Sequence, residues 1–347
     1  VYKRQANSLP DVIFNAACVN FCAWAYDEGV FDSDAATEIV NSLGIDTYSA
    51  KGVLAMSEVE PGVYASVPSG AWPNATYYRM SYYNDNGLAT PTNYANILAG
   101  ANGLHPVKED GSINFDKKKT IEMLETYKAL VEMSPEGIHH WQNGRDFYAS
   151  DVVPLTFWAS YLLDDIAGTR DNVPIMVDDN PQSLALAQDT NVIVGMAGPS
   201  NPDGGTWVEV HNFGVTVDAN TDEAAAFIEY VMNEEYVTWL GMAPEGSFPI
   251  RPGPSAGSKI FIDEWGNLPI GVDRKIPINQ IYSNEIIESL INGLAVGTRW
   301  GAKEGQLPVA AKLVNSGLMN RLMMEYINGD RSAEDTVDML NSEAAKL

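Results

Sequence analysis

Basic residues are scarce in this chain: 21 Lys and Arg stand against 46 Asp and Glu, a formal charge of −25 over 347 residues. A surplus of that sign repels phosphate, which excludes nucleic acid as a partner and argues equally against anionic membrane surfaces. Cysteine is scarcer still. Cys18 and Cys22 lie one helical turn apart and form neither a disulfide framework nor a zinc-ligand spacing, so buried free thiols are expected. Histidine occurs four times. The adjacent pair His139-His140 would point to different faces of any regular element, and no H-E-x-x-H spacing accompanies it, so no metal site is predicted. The longest apolar stretch, Val152 to Leu163, is interrupted by Thr156 and Ser160 and falls short of the roughly 20 residues that a membrane-spanning helix needs. Neither a G-x-G-x-x-G fingerprint nor a phosphate-binding P-loop occurs. Gly253 to Gly257 fits the G-x-S-x-G pattern of a hydrolase elbow, but Pro252 and Pro254 spoil its flanks and every histidine precedes it, so it reads as a loop. No catalytic, cofactor-binding or metal-ligating residue is expected.

The length suggests two domains rather than one. Periodicity alternates between strand and helix, the pattern of an α/β architecture. Asp11 to Phe14 reads as a short buried parallel strand, and Val192–Met196 and Val208–Val217 as β-branched strands. Residues 35–43 read as a helix. Asp116 caps another, with Ile121, Leu124, Tyr127 and Val131 on its inner face. Asn220 and the acids after it start a helix over Ala224, Phe227, Ile228 and Val231. Ser283 precedes a stripe from Ile286 to Leu294, and Ser332 with Asp335 starts a last helix. With so many acids, the pairs Asp164-Asp165 and Asp178-Asp179 are expected on solvated faces rather than as catalytic carboxylates. The same surplus predicts stability that rises with salt, as in a protein from a saline habitat.

Aromatic residues are the best lead to function. Trp72, Tyr77, Trp158, Trp207 and Phe248 sit at expected strand ends, turns and helix mouths, where ligands bind in open α/β sheets. Trp158 and Trp207 rank first as ligand-binding residues. Trp72 and Tyr77 follow, with Phe248, and Arg251 is a hydrogen-bond donor to the same ligand.

Several segments in order carry a family resemblance. Phe147 to Ile166 runs from a small-residue turn through an apolar stretch to Trp158 and then a helix. Ser8 to Phe14, Tyr64 to Pro68, Ala75 to Leu88 and Ala89 to Tyr94 follow the same family's strand, hinge approach and turn patterns. So do Gly204-Gly205-Thr206-Trp207, Thr221 to Tyr230, Ser247 to Arg251, and the tail Tyr326 to Leu340. From about residue 8 onward the chain resembles the extracellular solute-binding proteins of ABC importers, the maltose- and oligosaccharide-binding type in particular. The resemblance implies a two-lobed type II periplasmic-binding-protein fold with a hinge between lobes and an N-terminus that starts late in the family pattern. One lobe would comprise residues 1–72 plus 214–262, incomplete at its start. The other would comprise 75–208 plus 283–347, with hinge crossings near 68–76 and 206–216. It further implies capture of a carbohydrate outside the cell and delivery to membrane permease subunits, by a monomer without cofactor. The protein would be extracellular or periplasmic, lipid-anchored through a missing N-terminal segment. The rival readings are a sugar-acting glycosidase and a ligand-sensing binding module.

Overall fold

The computed structural model describes residues 9–16, 18–26, 28–49, 51–80, 99–136, 141–170, 176–177, 180–181 and 184–347. The resemblance segments at 84–94, the histidine pair at 139–140 and the acid pair at 178–179 lie outside the described residues.

A seven-stranded sheet comprises β1 (Val12–Asn15), β2 (Val67–Arg79), β3 (Leu155–Ala159), β4 (Thr190–Ile193), β5 (Met196–Gly198), β6 (Asn201–Val215) and β7 (Gly297–Thr298). Its centre is the antiparallel pair of the two long strands, β2 and β6, in register from Val67↔Phe213 to Pro73↔Val208, with a shift between His211 and Asn212. Each strand outlasts that pairing. Past Pro73, β2 takes β3 and β4 as antiparallel neighbours. Toward its start, β6 takes β5 antiparallel and β7 parallel, while its last residues pair with β1. The Gly204-Gly205 turn is required by this crowding: Gly204 has φ +75°, and a Cβ there would lie 2.1 Å from the Gly195 carbonyl oxygen.

Burial alternates along β2. Ala71, Pro73 and Ala75 are buried, whereas Trp72 and Asn74 stay half-buried, as expected when one sheet face meets a core and the other is partly solvated.

The helices used below are α1 (Cys18–Tyr26), α2 (Ser33–Leu43), α3 (Lys117–Met133), α4 (Leu162–Ile166), α5 (Thr221–Asn233), α6 (Asn284–Val296), α7 (Leu307–Asn315), α8 (Leu318–Ile327) and α9 (Ala333–Ala344). Side-chain caps on α2, α3, α6 and α9 come from Asp32, Asp116, Ser283 and Ser332, each accepting a backbone N–H of the first turn. Two large hydrophobic clusters and a small one around Ala101 and Met196 result. The larger contains Val40, Tyr77, Leu163, Val210, Ile228, Trp265 and Leu290. The second contains Phe115, Leu124, Trp207, Trp300, Leu322 and Leu340, and draws on α3, α7, α8 and α9. Strand β6 enters both, because Trp207 belongs to the second cluster and Val208 and Val210 to the first.

The structure corrects several sequence expectations. β1 is an antiparallel strand and only partly covered, not a buried parallel one, because its partner among the described residues is the last part of β6. The inner face of α3 is turned so that Thr120, Met123 and Leu130 join Leu124 in burial, whereas Val131 is 39% exposed. Phe227 on α5 points outward and is 47% exposed. Val192–Met196 is two strands, split at Gly195 with φ +77°. Cys22 is fully buried. Residues of segments 148–192 and 286–294 pack in the same cluster as Val40 and Ile228. Among the described residues, no helix is long and apolar enough to cross a membrane.

Candidate functional site

The half-buried face of the central strand pair collects the polar and aromatic side chains. Alternation along β6 puts Trp207, Glu209 and His211 on one face, with Val208 and Val210 on the other. Trp72 pairs directly with Glu209 and so shares its face. The site is thus a short row across two strands, Trp207 and Glu209 on β6 beside Trp72 on β2, where the two hydrophobic clusters meet.

Arg299, just after β7, closes one end of this row. Its Nε donates to the Val208 carbonyl, its guanidinium lies over the Trp207 ring at 4.1 Å from the centroid, and it forms an ion pair with Glu209. Only 6% of the Arg299 side chain is exposed against 28% of Glu209, so the carboxylate is the accessible end of the pair. Trp300 meets Trp207 edge to face, with centroids 5.6 Å apart at 85°, and donates its indole N–H to the Leu104 carbonyl. A cavity of about 300 Å³ opens beside these residues, lined by Trp207, Glu209, Arg299, Trp300, Asn320 and methionines of α3 and α8.

The other end of the row is aromatic and neutral. Trp72 touches the His211 ring at 4.8 Å and meets Tyr161 edge to face at 5.3 Å. Tyr161 lies so close to Gly246 that a Cβ there would come within 1.9 Å of its ring, which ties the turn before α4 to the loop at Pro244–Gly246. His211 faces the Ser247 hydroxyl at 3.4 Å, and burial lowers its pKa to about 4, so it is uncharged at neutral pH.

A third group lies behind Tyr161. Asp164 and Asp165 are buried, against the expectation of a solvated pair. Arg145 holds Asp165 at 2.9 Å and Arg170 holds Asp164 at 3.2 Å. Burial, with the Asp165 and Glu245 charges nearby, raises the Asp164 pKa to about 7. Burial likewise raises Glu245. These carboxylates face arginines within the fold.

The sequence-predicted residues separate into two groups. Trp72 and Trp207 come together on the site face. Trp158 is 44% exposed but pairs with Ala75 in β3, which puts it on the opposite face of the sheet and before, not at, the mouth of α4. Tyr77 is fully buried on that opposite face, its hydroxyl donating to the Ala159 carbonyl. Phe248 is fully buried against Trp265, 4.6 Å between centroids. Arg251 is also fully buried, its donors on Thr47, Leu43, Met232 and Asn233. Tyr77, Phe248 and Arg251 are therefore packed within the core, with no exposed surface in this structure. Glu209 and His211 were readable from the alternation Trp207-Val-Glu209-Val-His211. Arg299 was not, because its partners lie about 90 positions away in the chain.

No protein-family model matches the chain. Among curated proteins, Escherichia coli YcjN, named as an ABC transporter periplasmic-binding protein, is 19% identical over 285 residues, 71% of this chain. The chain spans 61% of the length of that relative. Solved structures match over nearly the whole chain. The GacH receptor of Streptomyces glaucescens, solved unliganded and with acarbose, superposes with a TM-score of 0.70 at 14% identity, covering 99% of this chain and 85% of the receptor. An ABC substrate-binding protein of Listeria monocytogenes in complex with cycloalternan gives 0.67 at 14% identity, over 99% and 86%. Maltose-bound MalE3 of T. maritima gives 0.64 at 12% identity, over 99% and 86%. The fold is the two-lobed α/β fold of the type II periplasmic-binding proteins. At these identities the likeness establishes the fold alone, and the ligands are those of the neighbours.

Proposed function

We propose that this protein captures a carbohydrate outside the cell and hands it to the permease of an ABC importer, making and breaking no bond. The observation that carries this reading is the row of Trp72, Trp207, Glu209 and Arg299 on one face of the crossing strands, in a fold shared with sugar-binding proteins. Indole rings offer apolar faces and edges to C–H groups, and a carboxylate with a guanidinium reads hydroxyls. The lobes divide near the long strands β2 and β6, at residues 68–76 and 206–216, and closure about them buries the ligand. The protein works as a monomer, held at the cell surface by a lipid anchor. The charge of −25 fits a saline setting, in which the thermal midpoint rises from about 0.05 M to about 2 M salt.

Calorimetric titration with neutral oligosaccharides, monosaccharides and sugar phosphates tests the reading. Binding of neutral sugars, with no hydrolysis products on prolonged incubation, supports it. Tight binding of a polyanionic sugar or phosphate ester with none of neutral sugars overturns it.

A further inference from the structure

We propose that the cavity beside Trp207 is a one-ring pocket, which takes a single neutral pyranose-sized polyol and reads its hydroxyls through the Glu209–Arg299 pair. This rests on the carbohydrate reading above and narrows it from sugars in general to one size and charge class.

Size is the first argument. The cavity of about 300 Å³ lies at the lower end of the range of ligand pockets, roughly 300–1,000 Å³. A volume at that end of the range suits one sugar ring better than a chain of rings.

Charge is the second. The cavity presents one carboxylate and one guanidinium, already paired with each other. An anionic ligand has to compete with Glu209 for Arg299, and a cationic one has to compete with Arg299 for Glu209. A neutral hydroxyl does neither: it donates to the accessible Glu209 carboxylate and leaves the ion pair in place. Arg299 is fixed for this task by its bond to the Val208 carbonyl and its stacking on Trp207.

The third argument is the mixed lining. The polar side chains of Glu209, Arg299 and Asn320 share the cavity with the thioethers of Met123, Met319 and Met323. Since the guanidinium occupies a face of Trp207, the apolar face of the sugar meets thioethers there instead of that indole face. Methionine suits this role because its unbranched, polarisable chain adapts to a ring of varied substituents.

The test is calorimetry on the full chain with three probes: neutral aldohexoses, the corresponding trisaccharides, and a hexose 6-phosphate. Each is measured against the wild type and Glu209→Gln, with a thermal melt to confirm that the variant is folded. The expected result is binding of at least one aldohexose, trisaccharides weaker by about tenfold or more, and no binding of the phosphate. In Glu209→Gln the neutral sugar weakens by about tenfold, and the phosphate gains affinity because Arg299 loses its counter-charge. Trisaccharide binding tighter than monosaccharide overturns the one-ring pocket and leaves carbohydrate capture standing. Absence of binding by any sugar overturns both. An unchanged order of neutral and phosphorylated sugars in a folded Glu209→Gln protein overturns the role of the ion pair.

Discussion

Two buried arginines in this molecule do opposite work. Arg251 is fully buried, and its guanidinium donates to neutral oxygens of Thr47, Leu43, Met232 and Asn233 while lying about 6 Å from the rings of Tyr48 and Phe261. It ties the end of α2 to the end of α5 and leaves nothing for a visitor. Arg299 is nearly as buried, at 5% exposure, yet its counter-charge Glu209 is partly exposed and a cavity lies beside the pair. Burial therefore does not distinguish the structural arginine from the binding one. The distinction lies in where the partners lead: inward to carbonyls in one case, outward to a cavity in the other.

Removing Arg251 gives the largest expected effect. Arg251→Ala leaves the Leu43 and Met232 carbonyls and the Thr47 hydroxyl without this donor, at about 1–3 kcal/mol of stability for each buried group left unsatisfied, read by chemical denaturation. The folded fraction keeps its ligand affinity. A loss of binding with stability intact would return Arg251 to the site and erase the contrast with Arg299. Replacing Arg299 with Met sharpens the contrast from the other side. Affinity for a neutral sugar should fall by about 1.5–3 kcal/mol, the value of a hydrogen bond to a charged group, and by more than stability falls.

The two titrating groups near Tyr161 predict compensating slopes. Asp164 ionises at about 7 in the fold, against about 3.9 for an unfolded aspartate. Between these values the folded state binds more protons, so this group makes stability decline as pH rises. His211 titrates at about 4 in the fold, against about 6.5 when unfolded. Over that window the unfolded state binds more protons, and this group makes stability increase as pH rises. The two slopes, each at most about 1.4 kcal/mol per pH unit, oppose one another from about pH 4 to 6.5. Relative to the wild type, the denaturation midpoint over this window should shift toward rising with pH in Asp164→Asn and toward falling with pH in His211→Gln. Equal profiles in all three proteins would show that neither group is held as described.

The smallest effect belongs to Trp158. At 44% exposure, Trp158→Ala is expected to change stability by less than about 1 kcal/mol, well below the ~3–5 kcal/mol of a core tryptophan. A loss in the core range would make it a packing residue.

The order of strands and helices was legible in the sequence because it rests on local signals. The caps at Asp116, Ser283 and Ser332 and the stripe from Ile286 to Leu294 are read within a few residues of chain. The site was half legible. Trp207, Glu209 and His211 follow from strand alternation, but the face they share with Trp72 depends on the register between β2 and β6, which is set about 140 positions apart. The burial of Arg251 was not legible, because its place beside Phe248 and Pro249 resembles a family loop and nothing local shows that Met232 and Leu43 claim its donors. Trp158 stood at a helix mouth in the sequence, but one residue of strand phase set it on the other face from Trp72. Asp164 and Asp165 looked like surface acids for want of any sign of Arg145 and Arg170.

The most direct measurement is a calorimetric titration of neutral sugars into the wild type, Arg299→Met and Phe248→Leu, with the folded state of each checked by thermal melting. Carbohydrate capture at the Trp72–Trp207–Glu209–Arg299 face predicts binding in the wild type, a loss in Arg299→Met and retention in Phe248→Leu. Sugar binding that survives Arg299→Met unchanged, or no sugar binding in the wild type, would contradict it.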